Sequence, residues 1–508
     1  MGGGRSRRNG ALPCLGVASW VGGPPSPSPF PPSPFGKGGG LAGSEPGWVH
    51  PKQPSLAVQP RGGGRWKPPG TASPLPPPSA MARPAERAWL AAFLRDWPVP
   101  LGPAEPLPWS APTGPLREDE AAAELAERAR GFLGRRDAPP LLAASLIHAA
   151  VLGTLQSDLS DFKKQNAEQG DTGDGGTWLE AAPLQCRFFN KLLDICGEWQ
   201  KELPALKPAK RYLQISMHAT RNTRRKMEDR HVSLPEFNQL FGLEDGVDRA
   251  YFAVYDGHGG IEAANYAATH LHFNLAHHKK FLDSPAEALR DAFQKTDEMF
   301  LSRARREKLR SGTTGVSCFL VDDKLHIAWL GDSQVMLVQQ GKVITLMEPH
   351  KPEREDERQR IEDLGGCITY MDCWRVNGTL AVSRAIGDLL QKPYISGCAD
   401  GASFELTGTE DYVLLACDGF FDAIQPVEVV DHVLEHLTRN HGDGLQTAEK
   451  LVAAAKESGS TDNITVLVLF LREPKDIVAD CLRDPKPCPV EDGKQGSLFS
   501  FFSSGANH

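Results

Sequence analysis

The chain has 508 residues, of which 40% are hydrophobic, so it is too long for one typical domain and can build at least one large core. Its 56 basic and 64 acidic residues give a net charge of −8, which argues against nucleic acid and anionic membranes as partners. The ten cysteines are dispersed, without zinc-module spacing, which favours a reduced, cytosolic protein and leaves the nucleus open. No apolar run is long enough to predict a membrane span.

The first 80 residues form a Pro/Gly-rich segment. They contain 18 Pro and 17 Gly, which do not build helices or central strands, so we expect a disordered tail. This segment carries +7, which leaves −15 on the other 428 residues. Residues 1–6 fit a loose myristoylation pattern, residues 11–21 faintly resemble a signal-peptide apolar region, and Met81 is an alternative start. A second disordered tail is expected over residues 473–508.

Residues 81–205 have a helical pattern. Apolar positions recur three and four residues apart, as in Phe188, Leu192, Ile195 and Trp199. Other helices are predicted at 85–95, 118–134 and 141–155. These apolar faces must be buried against the following domain, one another or a partner, and we interpret the region as a regulatory or docking segment with its own partner. The alternative is that the helices only stabilise the following domain.

After Pro208 the pattern changes to short apolar runs separated by Gly and Asp. Strands are predicted at 212–219, 251–255, 316–321, 325–330, 335–339, 412–416 and 464–471. Helices are predicted at 261–278, 285–309, 353–364 and 447–458. Since strands outnumber βαβ crossovers, we expect an α+β domain over residues 210–472, with antiparallel sheets packed together and helices outside.

Three of the predicted strands end in an aspartate beside a glycine. These aspartates are Asp256, Asp332 and Asp418, and Asp462 directly precedes the last strand. One Asp-Gly pair usually marks only a turn. Several carboxylates at strand ends repel one another unless cations neutralise them, so the set predicts a site for hard divalent cations, Mg²⁺ or Mn²⁺.

Seven short motifs occur in a fixed order. They are RRKMED at 224–229, YDGHGG at 255–260, SGTT at 311–314, GDS at 331–333, AVSRAIGD at 381–388, CDG at 417–419 and DN at 462–463. This set resembles the PPM (PP2C-type) phosphatases over about half of the chain. Together with the helical region, it is most similar to the calcium/calmodulin-dependent protein kinase phosphatase subgroup. The resemblance implies a β-sandwich of two antiparallel sheets flanked by helices.

The resemblance also implies a centre of two Mg²⁺ or Mn²⁺ ions. Asp256 would bridge both ions, Gly257 would bind one through its carbonyl oxygen, and Asp418 and Asp462 would bind the other. A water shared by the two ions would then attack the phosphorus of phosphoserine or phosphothreonine directly, without a covalent phosphoenzyme.

Further metal-site residues follow from the same resemblance. Glu228 and Asp229 would hold metal-bound waters, and Asp332 together with Asp388 would serve a weaker third ion.

Two residues are expected to act on the substrate. Arg224 would grip the phosphate with two parallel donors, and His258 would protonate the leaving oxygen. Alone, an arginine in a basic run is usually solvated surface and a lone histidine is usually structural. The chain has Gln334 and Pro349 where the family commonly has Arg and Asp, which affects expectations about substrate contacts.

The resemblance suggests phosphorylated Ser/Thr kinases of the calmodulin-dependent or p21-activated type as substrates. Cysteine-nucleophile and calcineurin-like phosphatases are excluded, because their motifs are absent from the sequence. The alternative is a docking scaffold or pseudophosphatase acting through the N-terminal helices. Retention of every aspartate argues against a pseudophosphatase.

Overall fold

The computed structural model of the protein describes residues 83–103, 105–110, 114–164 and 176–483. The tail expected over residues 1–80 lies outside these ranges, as does the chain beyond residue 483. Within the described ranges, no helix combines the length and apolar character needed to cross a membrane.

A helical arm, residues 84–201, precedes the sheets. Its elements are α1 (Pro84–Asp96), β1 (Leu116–Arg117), α2 (Ala121–Gly134), α3 (Pro140–Leu155), β2 (Trp178–Leu179) and α4 (Ala181–Lys201). Proline lies at the start of α1 and α3, where its missing N–H would have no partner in the helix anyway. Phe188, Leu192 and Ile195 are buried on α4, as their spacing predicts. The predicted helical region is therefore confirmed.

The remaining strands lie between residues 214 and 470. In chain order they are β3 (Gln214–Thr220), β4 (Arg230–Leu234), β5 (Arg249–Tyr255), β6 (Gly257–His258), β7 (Gly312–Thr313), β8 (Gly315–Val321), β9 (Lys324–Leu330), β10 (Gln334–Gln339), β11 (Lys342–Thr345), β12 (Ile368–Tyr370), β13 (Trp374–Val376), β14 (Ile386–Gly387), β15 (Asp400–Glu405), β16 (Glu410–Ala416) and β17 (Ile464–Phe470). Two five-stranded antiparallel sheets result, with strand orders β11-β10-β16-β17-β3 and β15-β9-β8-β5-β4. The short strands β14, β7 and β6 form a third sheet, and β12 pairs with β13.

The two large sheets pack face to face around an apolar core. Val254 and Phe252 of β5 share this core with Val413 and Leu415 of β16. Because side chains alternate along a strand, Tyr251 and its neighbours on the other face of β5 contact helices instead. Both faces of β5 are thus covered, which explains its uninterrupted apolar sequence. The expected sandwich is confirmed.

Helices cover both outer faces of the sandwich. They are α5 (Phe237–Phe241), α6 (Glu262–Ala276), α7 (Pro285–Glu307), α9 (Asp418–Phe421), α10 (Pro426–Arg439), α11 (Thr447–Glu457) and α12 (Pro474–Arg483). The remaining helix of this domain, α8 (Glu355–Asp363), packs against the hairpin of β12 and β13 instead. The pair α6 and α7 packs on the sheet that contains β5. The pair α10 and α11 packs on the sheet that contains β16.

The arm and the sandwich helices share one hydrophobic core. Phe132 and Leu146 of the arm belong to the same buried cluster as Phe237 of α5 and Leu271 of α6. At this contact the Tyr266 hydroxyl donates a 2.7 Å hydrogen bond to the carboxylate of Glu120, and both residues are buried. The arm therefore lies against the sandwich along one of its faces.

The structure differs from the sequence predictions in several places. Residues 474–483, expected to belong to a disordered tail, form α12, because Ile477 is buried and Asp480 forms an ion pair with Arg472. The predictions also omitted α10 and the short strands β4, β11, β12, β13 and β15. The sequence of α10 does carry a helical period, since Val429, Val433 and Leu437 lie four residues apart and are buried, so this helix could have been predicted. The omitted strands are three to six residues long, which is too short for a clear period of 2.

Candidate metal centre and active site

Three strands of the sandwich bring carboxylates to the same end of the fold. Asp256 follows β5, Asp332 follows β9 by two residues, and Asp418 follows β16 by two residues. They share one cleft of about 670 Å³. Ten site residues were singled out from the sequence, and those that line this cleft are Arg224, Glu228, Asp256, Gly257, His258, Asp332, Asp418 and Asp462. The other two, Asp229 and Asp388, are buried, at 3% and 6% exposure.

The carboxylates at the floor of the cleft are crowded. Ligand atoms of Asp256, Cys417 and Asp418 all lie within 4.8 Å of one another. Burial raises the pKa of Asp256 well above its usual range, and the charges of Asp418 and Asp229 raise it further. Burial, aided by the charge of Asp332, raises the pKa of Asp418 to about 7. Protein groups alone therefore do not balance this charge at neutral pH.

The chemistry of the donor set fits hard divalent cations. Asp229 accepts a 2.7 Å hydrogen bond from the Thr465 hydroxyl through Oδ2, while its buried Oδ1 has no partner among the described residues. Burial raises the pKa of Asp229 to about 6. Burial also raises the pKa of the Cys417 thiol, so this sulfur stays protonated and leaves oxygen as the available ligand. Oxygen ligands are those that Mg²⁺ and Mn²⁺ prefer.

The glycines after Asp256 and Asp418 allow loops to approach closely. A Cβ atom on Gly257 would lie 2.5 Å from the carbonyl oxygen of Glu228. A Cβ atom on Gly419 would lie 2.1 Å from the carbonyl oxygen of Asn463. The Asp-Gly pairs are therefore required by packing between loops at the cleft.

Arg224 lies in the loop between β3 and β4, and Asn463 holds this loop in place. The Arg224 guanidinium forms an ion pair with Asp462. The Asn463 side chain accepts a 2.7 Å hydrogen bond from the backbone N–H of Glu228 and donates to the backbone oxygens of Arg221 and Lys226, both at 3.0 Å. Asn463, to which the sequence analysis gave no role, is thus a positioning residue for the loop.

His258 lies on β6 and contacts Asp388. Its Nε2 atom is 2.8 Å from Oδ2 of Asp388. Burial lowers the pKa of His258, but the hydrogen bond and charge of Asp388, together with the charges of Asp332 and Glu228, outweigh this and raise it overall. A side chain at Gly312 would collide with both partners of this contact. The structure therefore places Asp388 against His258, whereas the sequence grouped it with the third ion.

Two further cations at the cleft were missed. The Lys351 ammonium lies 2.5 Å from Oδ2 of Asp332. Burial lowers the pKa of Lys351, but the charges of Asp332, Asp422 and Asp418 outweigh this and raise it overall. The His-Lys-Pro triplet at 350–352 is the sequence signal that could have identified this lysine. Arg375 also lines the cleft, on a short hairpin whose sequence gave no signal.

Comparison with known proteins agrees with this geometry. A profile of the family described as Protein phosphatase 2C matches residues 213–464. Protein phosphatase 1F of Homo sapiens is 57% identical over 411 residues, which cover 79% of this chain and 90% of that protein. Protein phosphatase 1E of Homo sapiens is 50% identical over 377 residues, covering 73% of this chain and 49% of that protein.

A solved structure titled "Structure of a C.elegans sex determining protein" supports the fold alone. It superposes with a TM-score of 0.60 at 22% identity, covering 78% of this chain and 95% of that one. The family profile and the two human relatives confirm the resemblance that the motifs carry. The chain therefore belongs to the protein phosphatase 2C family of metal-dependent serine/threonine protein phosphatases.

Proposed function

We propose that the carboxylate cleft is the catalytic centre of this phosphatase and that it holds two Mg²⁺ or Mn²⁺ ions. The observation that carries the proposal is the crowding of Asp256 and Asp418, whose pKa values are raised by burial and by neighbouring carboxylates. Such a cluster is stable in its ionised form when divalent cations offset its charge.

The family resemblance assigns the ligands among the residues that line the cleft. Asp256 would bridge the two ions, the carbonyl oxygen of Gly257 would bind one, and Asp418 with Asp462 would bind the other. When bound, the ions would lower the pKa of a water molecule for attack on phosphorus and offset the charge of the phosphoryl oxygens.

Three more carboxylates would support the centre. Glu228 and Asp229 would complete the coordination through water, which fits the unpartnered Oδ1 atom of Asp229. Asp332 would serve a weaker third ion, and it already faces the Lys351 ammonium. Lys351 would then limit how tightly a third ion binds, because it offsets the charge of the same carboxylate.

The roles of Arg224 and His258 rest on their positions in the cleft. Arg224 leaves 58% of its side chain exposed, so it can exchange its contact with Asp462 for the phosphate of a substrate. His258 would donate a proton to the leaving serine or threonine oxygen. Asp388 would orient its ring and favour the protonated form.

The physiological substrates and the location in the cell are two further proposals. We propose phosphorylated Ser/Thr kinases of the calmodulin-dependent or p21-activated type as substrates, on the family resemblance alone. A cytosolic location is supported by Cys196, Cys318 and Cys417, whose thiols are free.

The proposed function is tested by phosphate release from a phosphothreonine peptide. We expect release to require added Mn²⁺ or Mg²⁺ and to stop when a chelator is added. The variants Asp256→Asn and Asp418→Asn should each retain under about a tenth of the wild-type rate at saturating Mn²⁺, with an unchanged fold by circular dichroism. Turnover that is insensitive to the chelator would refute the metal centre, as would full activity of either variant.

A further inference from the structure

Four cationic side chains line the same cleft as the carboxylates. They are Arg224, Arg225, Lys226 and Arg375. Arg224 pairs with Asp462, and Arg375 makes two 3.1 Å contacts with Asp372. Arg225 and Lys226 differ from these two, because neither has an anionic partner among the described residues, and both are exposed. Two unpaired positive charges therefore face the solvent at the mouth of the cleft.

The loop that carries Arg225 and Lys226 is held at several points. Beside the contacts of Asn463, the Asn222 side chain donates to the backbone oxygen of Ser460 and the Thr223 hydroxyl donates to that of Thr461, both at 2.6 Å. This network fixes the backbone on both sides of the two cations. Only the long side chains themselves must then be ordered when a ligand binds, which keeps the entropic cost low.

We propose that Arg225 and Lys226 select phosphoproteins that carry a second anionic group beside the phosphoserine or phosphothreonine. The second group would be a carboxylate or another phosphate. This proposal rests on the proposed function, since it assumes that the phosphate to be hydrolysed enters the carboxylate cleft. Arg224 then serves that phosphate, and the two unpaired cations remain for the flanking charge.

The net negative charge of the rest of the chain strengthens the contrast between this pair of cations and the remaining surface. Residues 81–508 carry −15, so an acidic substrate is repelled by most of the protein surface. A local pair of cations at the cleft offsets this repulsion at one place. Substrates whose second charge reaches that place gain affinity, and acidic proteins in general do not.

The test compares phosphothreonine peptides that differ at one flanking position. This position holds glutamine, glutamate or a non-hydrolysable phosphonate residue, and kcat/KM is measured for each peptide at low and high salt. For the wild type we expect kcat/KM to be higher on the anionic peptides. In the double variant Arg225→Ala/Lys226→Ala the ratio of anionic to neutral kcat/KM should fall roughly three- to tenfold, which lies within the range for two exposed ion pairs. High salt should reduce the wild-type ratio.

Two further variants sharpen the result. The double variant Lys279→Ala/Lys342→Ala removes two exposed cations that do not line the cleft and have no ion pair in the described ranges, and it should leave the ratio unchanged. The double variant Arg225→Glu/Lys226→Glu should reverse the preference, so that a lysine-flanked peptide becomes the better substrate.

Each outcome has a distinct meaning. If the wild type has a higher kcat/KM on both anionic peptides than on the glutamine peptide, the two cations select any second anion. If only the phosphonate peptide has the higher kcat/KM, they select doubly phosphorylated segments. Equal kcat/KM of the wild type on all peptides would overturn the inference and leave the phosphatase assignment intact, as would an equal fall on all peptides in the alanine variant. Absence of metal-dependent turnover on every peptide would instead overturn the proposed function.

Discussion

A buried carboxylate beside the cleft gives a quantitative prediction. Glu357 on α8 leaves 1% of its side chain exposed. Its Oε1 atom accepts hydrogen bonds of 2.7 and 3.0 Å from Arg384, and its Oε2 atom accepts one of 2.8 Å from Arg360. Arg360 also donates to the backbone oxygen of Ser383, at 2.9 Å. Glu357 therefore joins α8 to the AVSRAIGD segment at 381–388.

The pKa of Glu357 sets the size and the sign of its contribution. Burial raises this pKa, but the hydrogen bonds and charges of Arg384 and Arg360 outweigh burial and lower it from 4.5 to about 2. A shift of this size corresponds to about 3 kcal/mol of folding free energy. Because the folded-state pKa is depressed, this stabilisation is fully present above pH 4.5 and is lost as pH falls from 4.5 to about 2.

The variant Glu357→Gln keeps the shape of the side chain and removes its charge. At neutral pH we expect it to lower the free energy of unfolding by about 3 kcal/mol, or the melting temperature by roughly 6–10 °C. Urea unfolding of both proteins down to about pH 3 should show the difference shrinking below pH 4.5. The exposed Glu355→Gln on the same helix is the control. A difference that stays constant over this pH range would refute an origin in the charge of Glu357.

The other predictions concern the cleft and the arm. Arg224→Ala should raise KM more than it lowers kcat, because phosphate capture is largely ground-state binding; the opposite pattern would give Arg224 a transition-state role. His258→Gln should impair turnover of a phosphopeptide more than that of p-nitrophenyl phosphate, whose leaving group needs no proton, and equal losses would contradict the acid role. A fragment over residues 206–508 should melt at a lower temperature and lose peptide turnover in step, because the arm covers α5 and α6. Unchanged melting and peptide turnover, with slower dephosphorylation of intact kinases, would instead support docking.

The strand ends could be predicted because apolar runs and their terminal aspartates are adjacent in sequence. Asp256 and Asp418 each follow six apolar residues, at 250–255 and 412–417, and the order of the motifs then indicates the fold. The contacts of Asn463 and Lys351 could not be predicted in this way. Asn463 holds a loop that is 235 residues away in the chain, and Lys351 contacts Asp332 across 19 residues, so both contacts depend on where the folded strands bring their connecting loops.

The arm also shows a limit of reading the sequence alone. The spacing of its apolar residues predicted helices with one buried face, and the structure confirms both the helices and their buried faces. The spacing alone does not identify the element or the partner that covers such a face. The cluster shared by Phe132 and Leu271 answers this for one face of the arm, whereas docking of a partner on another face stays a prediction.

The pairing of β3 with β17 has a consequence during synthesis. These are the first and last strands of the sandwich, and the loops beside them bring Arg224 to Asp462 although 238 residues separate the two in the chain. A growing polypeptide on the ribosome therefore lacks Asp462 and Asn463 until almost the whole domain has been made. Products that end before residue 462 would then lack one of the proposed metal ligands and the Asn463 contacts that hold the loop of Arg224.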